Sequence, residues 1–425
     1  MDNLSKLTLA VRDYGLFMHL AQDCAREYKE ILYYVPWEGS YPTTDKANIG
    51  VGVPGLTRVY DWHEAVRQAD EVALFDVGMD SIRQSVIKEF KKPCMGGTAS
   101  IMEYNRIYFK EECLRKMGLP VIPYKVIIGW DALCLHLKSN PNKHVKVNTF
   151  RGVLETFHAK DYKFAIPKLE MAAKKLGSWK NKMPFIVEDH VPGFQEQADG
   201  AVETGDDDFK LHGDPLSIGT WGFEIKDNTY VCKVDDLDNF PTPLKEIRKK
   251  LNSVFRDHDV CGMGSSEIRR NTQKSFYLDD CRRAGSPPSE IQGELFTNFP
   301  RIVHAIANNQ RIVPAFKAKY GAMILIKSEM ALETHVPMDF KDQDLKVLKM
   351  RNLYKVDDQY YHIPQDGLSF LGAAIGWGND KETAMDMALE NSQKIQCDEA
   401  HCEVDGFEKQ KEVFKAAVKV GLGTF

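Results

Sequence analysis

The chain has 425 residues, 43% of them hydrophobic and 28% charged, ordinary usage for a globular protein of several domains at roughly 100–200 residues each. It carries 56 Lys+Arg against 61 Asp+Glu, a net charge of −5. That balance excludes a chain-wide basic surface for nucleic acid or anionic membrane, leaving only a local patch open, and the composition excludes fibrous, wholly disordered and small disulfide-scaffold classes.

The first residues show no basic segment followed by an apolar run, so no secretory signal is expected. The longest apolar stretch, 121–137, is interrupted by Lys125 and Asp131, and no membrane span is expected. Nine cysteines are scattered, and Cys397 and Cys402 flank His401 without a second ligand pair at matching spacing. Reduced thiols and a cytoplasmic location are expected.

In chain order, 7–11 reads as a strand, 16–28 as a helix, 30–35 as a strand, 63–69 as a helix, 72–77 as a strand and 81–90 as a helix closed by Pro93. This alternation predicts a parallel sheet with right-handed crossovers. The pattern at 103–117 is one helix, stopped by Gly118 and Pro120. A run of shorter strands and turns follows to about 290, with strands at 144–147, 184–191, 223–233, 263–270 and 275–280 and an acidic turn at Asp206–Asp208. Beyond it come a helix at 299–308, strands at 322–326, 346–350, 360–363 and 370–375, and a closing helix at 381–395.

The segment Gly262–Pro288 is the richest in chemistry. Two strand patterns joined by a polar turn near 271–274 bring Glu267 and Asp279 close, beside Arg282 and Arg283. Two hard carboxylates next to arginine suit Mg²⁺ (or Mn²⁺) bridging nucleotide phosphates; a solvent-facing hairpin with ordinary ion pairs fits the same pattern. Upstream, Lys146 sits inside an apolar strand and Arg151-Gly152 follows in a turn, a reasonable phosphate contact. Pro184–Glu196 is an apolar strand running into Glu188-Asp189-His190 and a Pro-Gly turn. His190 and His212 are candidate general bases, although a lone His is more often an ordinary hydrogen-bonded residue. Trp221 and Glu224 are candidate lining residues or core. The basic clusters Arg248–Lys250 and Arg269-Arg270 read as solvated faces, or as contacts to a phosphorylated or polymeric acceptor, nucleic acid included.

The order of these motifs resembles the ATP-grasp superfamily, and within it the glycinamide ribonucleotide synthetase (phosphoribosylamine–glycine ligase) family. That family ends its metal strand with Glu-x-Asn-x-Arg-x-Gly-Asp-Pro-Glu; here Asp279, Cys281, Arg283, Gly285 and Pro287 align with it. The resemblance extends from Asp76–Asp80 and Lys92-Pro93 to Gly372–Asp380. It implies a mixed α/β and α+β architecture: a Rossmann-like pre-ATP-grasp domain at 1–97, a two-lobed nucleotide-binding module at 98–300 and a C-terminal α/β domain at 301–425. It further implies that Lys146 contacts the α- and β-phosphates, and that Arg151 and Gly152 lie in the phosphate-covering loop. Glu188, Asp189, His190 and Val191 would hold adenine, with Gln195 or Glu196 on the ribose. Glu267 and Asp279 would ligate Mg²⁺, and Arg283 would stabilise the acyl-phosphate. The implied activity is an ATP-dependent carboxylate–amine ligase acting on small molecules and releasing ADP and phosphate.

Three departures stand out. Cys281 replaces the metal-strand Asn and is a poor ligand for a hard ion, with Asp280 able to substitute only if the register shifts by one. The glycine-rich turn after the first strand retains Gly15 and His19 alone. The family's acceptor-pocket segment is absent, and His212–Asp227 stands in its place. The nucleotide site therefore reads as retained and the substrate pockets as rebuilt. A silent nucleotide-binding scaffold and a phosphotransferase remain as alternatives.

Overall fold

The computed structural model describes residues 3–36, 43–149, 156–197, 200–365 and 368–425. The first strands are apolar on both faces: Leu9, Ala10 and Val11 are fully buried, as are Val72 and Ala73, the pattern of a parallel sheet covered by helices on each side. Five parallel strands run in the order Thr57–Val59, Glu30–Tyr34, Thr8–Arg12, Glu71–Leu74, Cys94–Gly96. The two outer strands, three residues each, are too short to show a period and escape sequence reading. Helices Met18–Cys24, Trp62–Gln68 and Asp80–Lys88 make the crossovers.

The helix expected at 103–117 is broken. Ser100–Tyr104 and Arg106–Tyr108 are separated by Asn105, at φ −116° and ψ 83°, and a π-helical turn spans Phe109–Arg115. The Asn105 side chain accepts from Tyr108 N (3.0 Å) and from Asn148 Nδ2 (3.1 Å). An amide that bonds its neighbouring backbone competes with the helix, and Asn148 fixes that outcome from another strand.

A four-stranded antiparallel sheet follows, ordered Tyr124–Ile128, Pro184–Asp189, Lys143–Val147, Thr156–Ala159. Val145, Val147, Phe157, Phe185 and Val187 pack on one face against Leu133 and Leu137 of helix Trp130–Ser139 and Ala165 and Leu169 of helix Tyr162–Leu176. Side chains alternate across a strand, so His144 and Lys146 occupy the other face. Neither helix was expected; Pro167 inside the second one hides its period.

The largest sheet is antiparallel, with nine strands among the described residues. Its path is Ser275–Cys281, Gly262–Arg270, Val202–Leu211, Ile218–Ile225, Thr229–Asp236, Tyr320–Lys327, Phe370–Gly378, Leu348–Met350, with Asp214–Pro215 paired to Val202–Leu211. It runs across residue 300 without interruption, because Tyr320–Lys327 pairs directly with Thr229–Asp236. The strand expected at 223–233 is two strands turned at 226–228, where Asp227 takes φ 57°.

The acidic turn expected at Asp206–Asp208 is instead the middle of a buried strand, each residue at most 5% exposed. Arg248, from helix Thr242–Asp257, pairs with Asp206 and Asp208, Lys210 also pairs with Asp208, and the Tyr230 hydroxyl donates to Asp207 (3.0 Å). Buried charges persist when each has a partner. Helix Lys381–Ser392 is followed by a further helix, Gly406–Lys419. Among the described residues no helix is long and apolar enough to cross a membrane.

Candidate active site

The face of the four-stranded sheet that carries the buried Lys146 and Glu188 lies against the edge of the large sheet, and the two form the walls of the candidate site. On the first wall, Lys146 Nζ lies 3.3 Å from Glu188 Oε2, and Lys110 Nζ lies 2.6 Å from Glu188 Oε1. Burial alone would raise the Glu188 carboxyl, but Lys146 and Lys110 outweigh it and hold it at about 2. For Lys146 burial opposes the charge, while Glu188 and Asp279 prevail and raise its pKa. For Lys110 burial wins over Glu188, and its pKa is lowered. Arg106 adds a third cation, donating to Val147 O at 3.0 Å and standing 3.5 Å from Asp279 Oδ2. Lys110 and Arg106 were not singled out from sequence as site residues. The only local signal is a cation repeating at i, i+4 in a helix whose break is invisible in the chain.

On the second wall Glu267 and Asp279 are paired directly opposite each other, beside a register irregularity between Glu267 and Ile268. They line a cavity of about 210 Å³ together with Glu203, Glu224, Lys226, Cys281 and Arg283. The Glu203 and Glu267 side chains share a hydrogen bond. Burial, then the Glu203 charge, pushes Glu267 far above the ordinary carboxyl range, while hydrogen bonds and Arg269 hold Glu203 below it. This crowded set of hard oxygens is a donor set that suits a divalent cation such as Mg²⁺.

Asp280 points to the far side of the sheet. It pairs with Arg282 (2.6 Å), both side chains fully buried, and accepts from the Tyr277 hydroxyl (2.8 Å). It is therefore not available to replace Cys281. The Cys281 thiol faces the cavity, and burial pushes it up to about 12. Arg283 Nε lies 3.1 Å from Glu103 Oε1 and 4.0 Å from Asp76 Oδ1. Glu103 and Arg283 also line a second cavity, of about 530 Å³, walled by Tyr14, Lys46, Asp76 and Asn352. Next to it, Gly15 takes φ 97°, and a Cβ there would collide with the Asn352 side-chain oxygen, which accounts for the glycine. His19 is buried in its helix, 1% exposed, and lines neither cavity.

The segment expected to hold adenine ends the strand Pro184–Asp189. The Glu188 side chain turns inward to the two lysines, Asp189 pairs with Lys143 (2.5 Å), and Val191 O accepts from Arg269 Nη1 (2.9 Å). Arg269 also donates to Glu203 Oε2 (2.8 Å), so it ties this segment to the carboxylate wall. His190 Nε2 lies 2.8 Å from Glu196 Oε2, while Gln195 is exposed. Arg151 and Gly152 lie outside the described residues. Trp221 is core, 3% exposed and packed edge-on against Phe223 and Phe425, whereas Glu224 lines the cavity. His212 is exposed, paired with Asp259 (2.6 Å), and is absent from both cavity walls.

No family sequence model matches the chain, and no curated protein matches it in sequence. Solved structures do. A phosphoribosylamine–glycine ligase from Thermotoga maritima is 12% identical, with a TM-score of 0.69 over 94% of this chain and 100% of its own. The biotin carboxylase domain of 2-oxoglutarate carboxylase from Hydrogenobacter thermophilus, solved with MgADP, ADP and bicarbonate, is 9% identical, with a TM-score of 0.62 over 96% and 99%. N5-carboxyaminoimidazole synthetase from Staphylococcus aureus, solved with ADP, is 10% identical, with a TM-score of 0.57 over 91% and 96%.

Proposed function

On the ATP-grasp fold that the chain shares with these structures, we propose that it is an ATP- and Mg²⁺-dependent ligase joining a small-molecule carboxylate to an amine. The observation that carries this reading is the juxtaposition of Glu267 and Asp279 with Lys146 and Arg106 on one side and Arg283 on the other.

In this reading the nucleotide lies between the two sheets, its base near 188–191 and its phosphates under Lys146, which Glu188 holds in place together with Lys110. Glu203, Glu267 and Asp279 would hold Mg²⁺, which when bound supplies positive charge to the phosphates. Arg283, on the wall common to both cavities, would neutralise the phosphoryl group as it passes from ATP to a carboxylate in the larger cavity. The carboxylate oxygen attacks the γ-phosphorus, ADP leaves, and the amine then displaces phosphate to give the amide. Such chemistry asks the protein for positioning and charge rather than covalent work.

The test is a screen of carboxylates and amines with Mg·ATP. Amine-dependent release of ADP and phosphate in equal amounts supports the ligase; AMP would sink it. ADP release without any need for an amine would favour a phosphotransferase. Cys281 in the cavity wall favours a second reading, a nucleotide-binding protein without turnover, for which ATP binds and no substrate pair releases ADP.

A further inference from the structure

Three histidines meet at the end of the four-stranded sheet. His144 and His158 are directly paired across neighbouring strands, and His190 follows the strand on the other side of His144. The His144 and His190 rings lie edge to edge, with Nε2 and Nδ1 2.9 Å apart, 5.2 Å between centroids and 16° between planes. His158 stacks on both, at 4.5 and 4.6 Å. One ring nitrogen from each residue lies within 4.8 Å of the other two.

The outer partners set the tautomers. His190 Nε2 donates to Glu196 Oε2 (2.8 Å), which leaves Nδ1 with its lone pair facing His144. His158 Nε2 donates to Asn142 Oδ1 (2.7 Å), which leaves its Nδ1 as the lone-pair nitrogen. A carboxylate or amide oxygen on the far nitrogen is how metal-binding imidazoles are oriented. Burial, then mutual repulsion among the rings, lowers His144 to about 4 and lowers His158 as well.

We infer that His144, His158 and His190 bind one borderline divalent ion of the Zn²⁺ class, with a fourth position left to water or a ligand. Two imidazoles on one tetrahedral ion, each at ~2.0 Å, stand ~3.3 Å apart; the His144–His190 pair is already within a few tenths of that, and His158 must turn out of its stack. All three donors are imidazole nitrogens, unlike the carboxylates of the cleft, so hard Mg²⁺ does not compete for them. In the metal-free chain His144 Nε2–H donates to His190 Nδ1, and ion binding requires that proton to move to His144 Nδ1, which leaves a neutral imidazole with its Nε2 lone pair on the ion. The site shares His190 with the segment placed near the base in the ligase reading, but its three ring nitrogens converge whether or not that reading holds.

The test uses the full chain, stripped with chelator and kept in excess Mg²⁺ to occupy carboxylate sites, titrated with CoCl₂ and ZnCl₂ by calorimetry and visible absorption. The expected result is one equivalent with the intense visible bands of tetrahedral Co²⁺. His144→Gln and His158→Gln should each weaken it by at least about tenfold, and His212→Gln should leave it unchanged. Circular dichroism and urea midpoints establish that each variant is folded; His158 is partly exposed, so its variant keeps the test alive if His144→Gln unfolds. Absence of binding below about 100 μM would overturn the inference. So would binding that survives both variants, or binding that His212→Gln abolishes, which would place the ion at His212, Asp259 and Cys261.

Discussion

Glu188 is clasped between two lysines from different parts of the chain, 2.6 Å from Lys110 and 3.3 Å from Lys146, with the Glu188 and Lys110 side chains each 3% exposed. Removing one partner of a buried pair strands the other's charge, at a cost of about 3–5 kcal/mol. Lys110→Met should lower stability in urea unfolding by less than that, since Lys146 still pairs with Glu188. Adding Glu188→Gln should cost more, because it strands buried Lys146, but less than the sum of the two single losses, since the Lys110–Glu188 pair is lost only once. Purely additive losses in the double variant would mean that the pair is not coupled.

Asp279 and Asp280 are neighbours with opposite fates. Asp279 faces the cleft and is partly exposed, whereas Asp280 is locked to Arg282 behind the sheet. Asp279→Asn should leave the unfolding midpoint nearly unchanged and abolish Mg²⁺-dependent ADP release. Asp280→Asn should destabilise the fold by about 3 kcal/mol or more, as for any broken buried pair. The reverse assignment of effects would show that the strand register differs from Glu267 opposite Asp279.

Arg283 engages Glu103 and Asp76 and walls both cavities. Lysine keeps the charge but not the planar fork. Arg283→Lys should cut ADP release by roughly 10²-fold or more while the Kd for ATP changes little. A matching loss in ATP affinity would assign Arg283 to nucleotide binding instead.

Asp13 is fully buried, and burial, then the nearby Asp76 charge, raises its pKa to about 7 despite hydrogen bonds from the Tyr33 hydroxyl and from the backbone N–H groups of Tyr14 and Phe17. Between the ordinary carboxyl value of 3.8 and about 7, the folded chain keeps a proton that the unfolded chain has lost. Raising the pH through that window therefore lowers stability, by at most about 1.4 kcal/mol for each pH step of one. The urea midpoint of the natural chain should fall between about pH 4 and about pH 7, and Asp13→Asn should flatten that part of the profile. An unchanged slope in the variant would rule Asp13 out as its source.

What could be read from the chain alone was local. Residues 7–90 show their alternation because each apolar run and each amphipathic turn is complete within a few positions. The hairpin of Gly262–Arg270 and Ser275–Cys281 was legible for the same reason, and with it the facing pair Glu267 and Asp279. Tertiary structure decided what depends on distant partners. Asp206–Asp208 looks like a solvent turn until Arg248 supplies the charge that lets it enter the core. The helix through Lys110 looks continuous until Asn148 meets Asn105 and breaks it. Nothing along the chain links His144, His158 and His190; strand pairing and the bond of His190 to Glu196 bring their rings together. Periodicity is a property of neighbours along the chain, whereas the balance of buried charge is a property of neighbours in space.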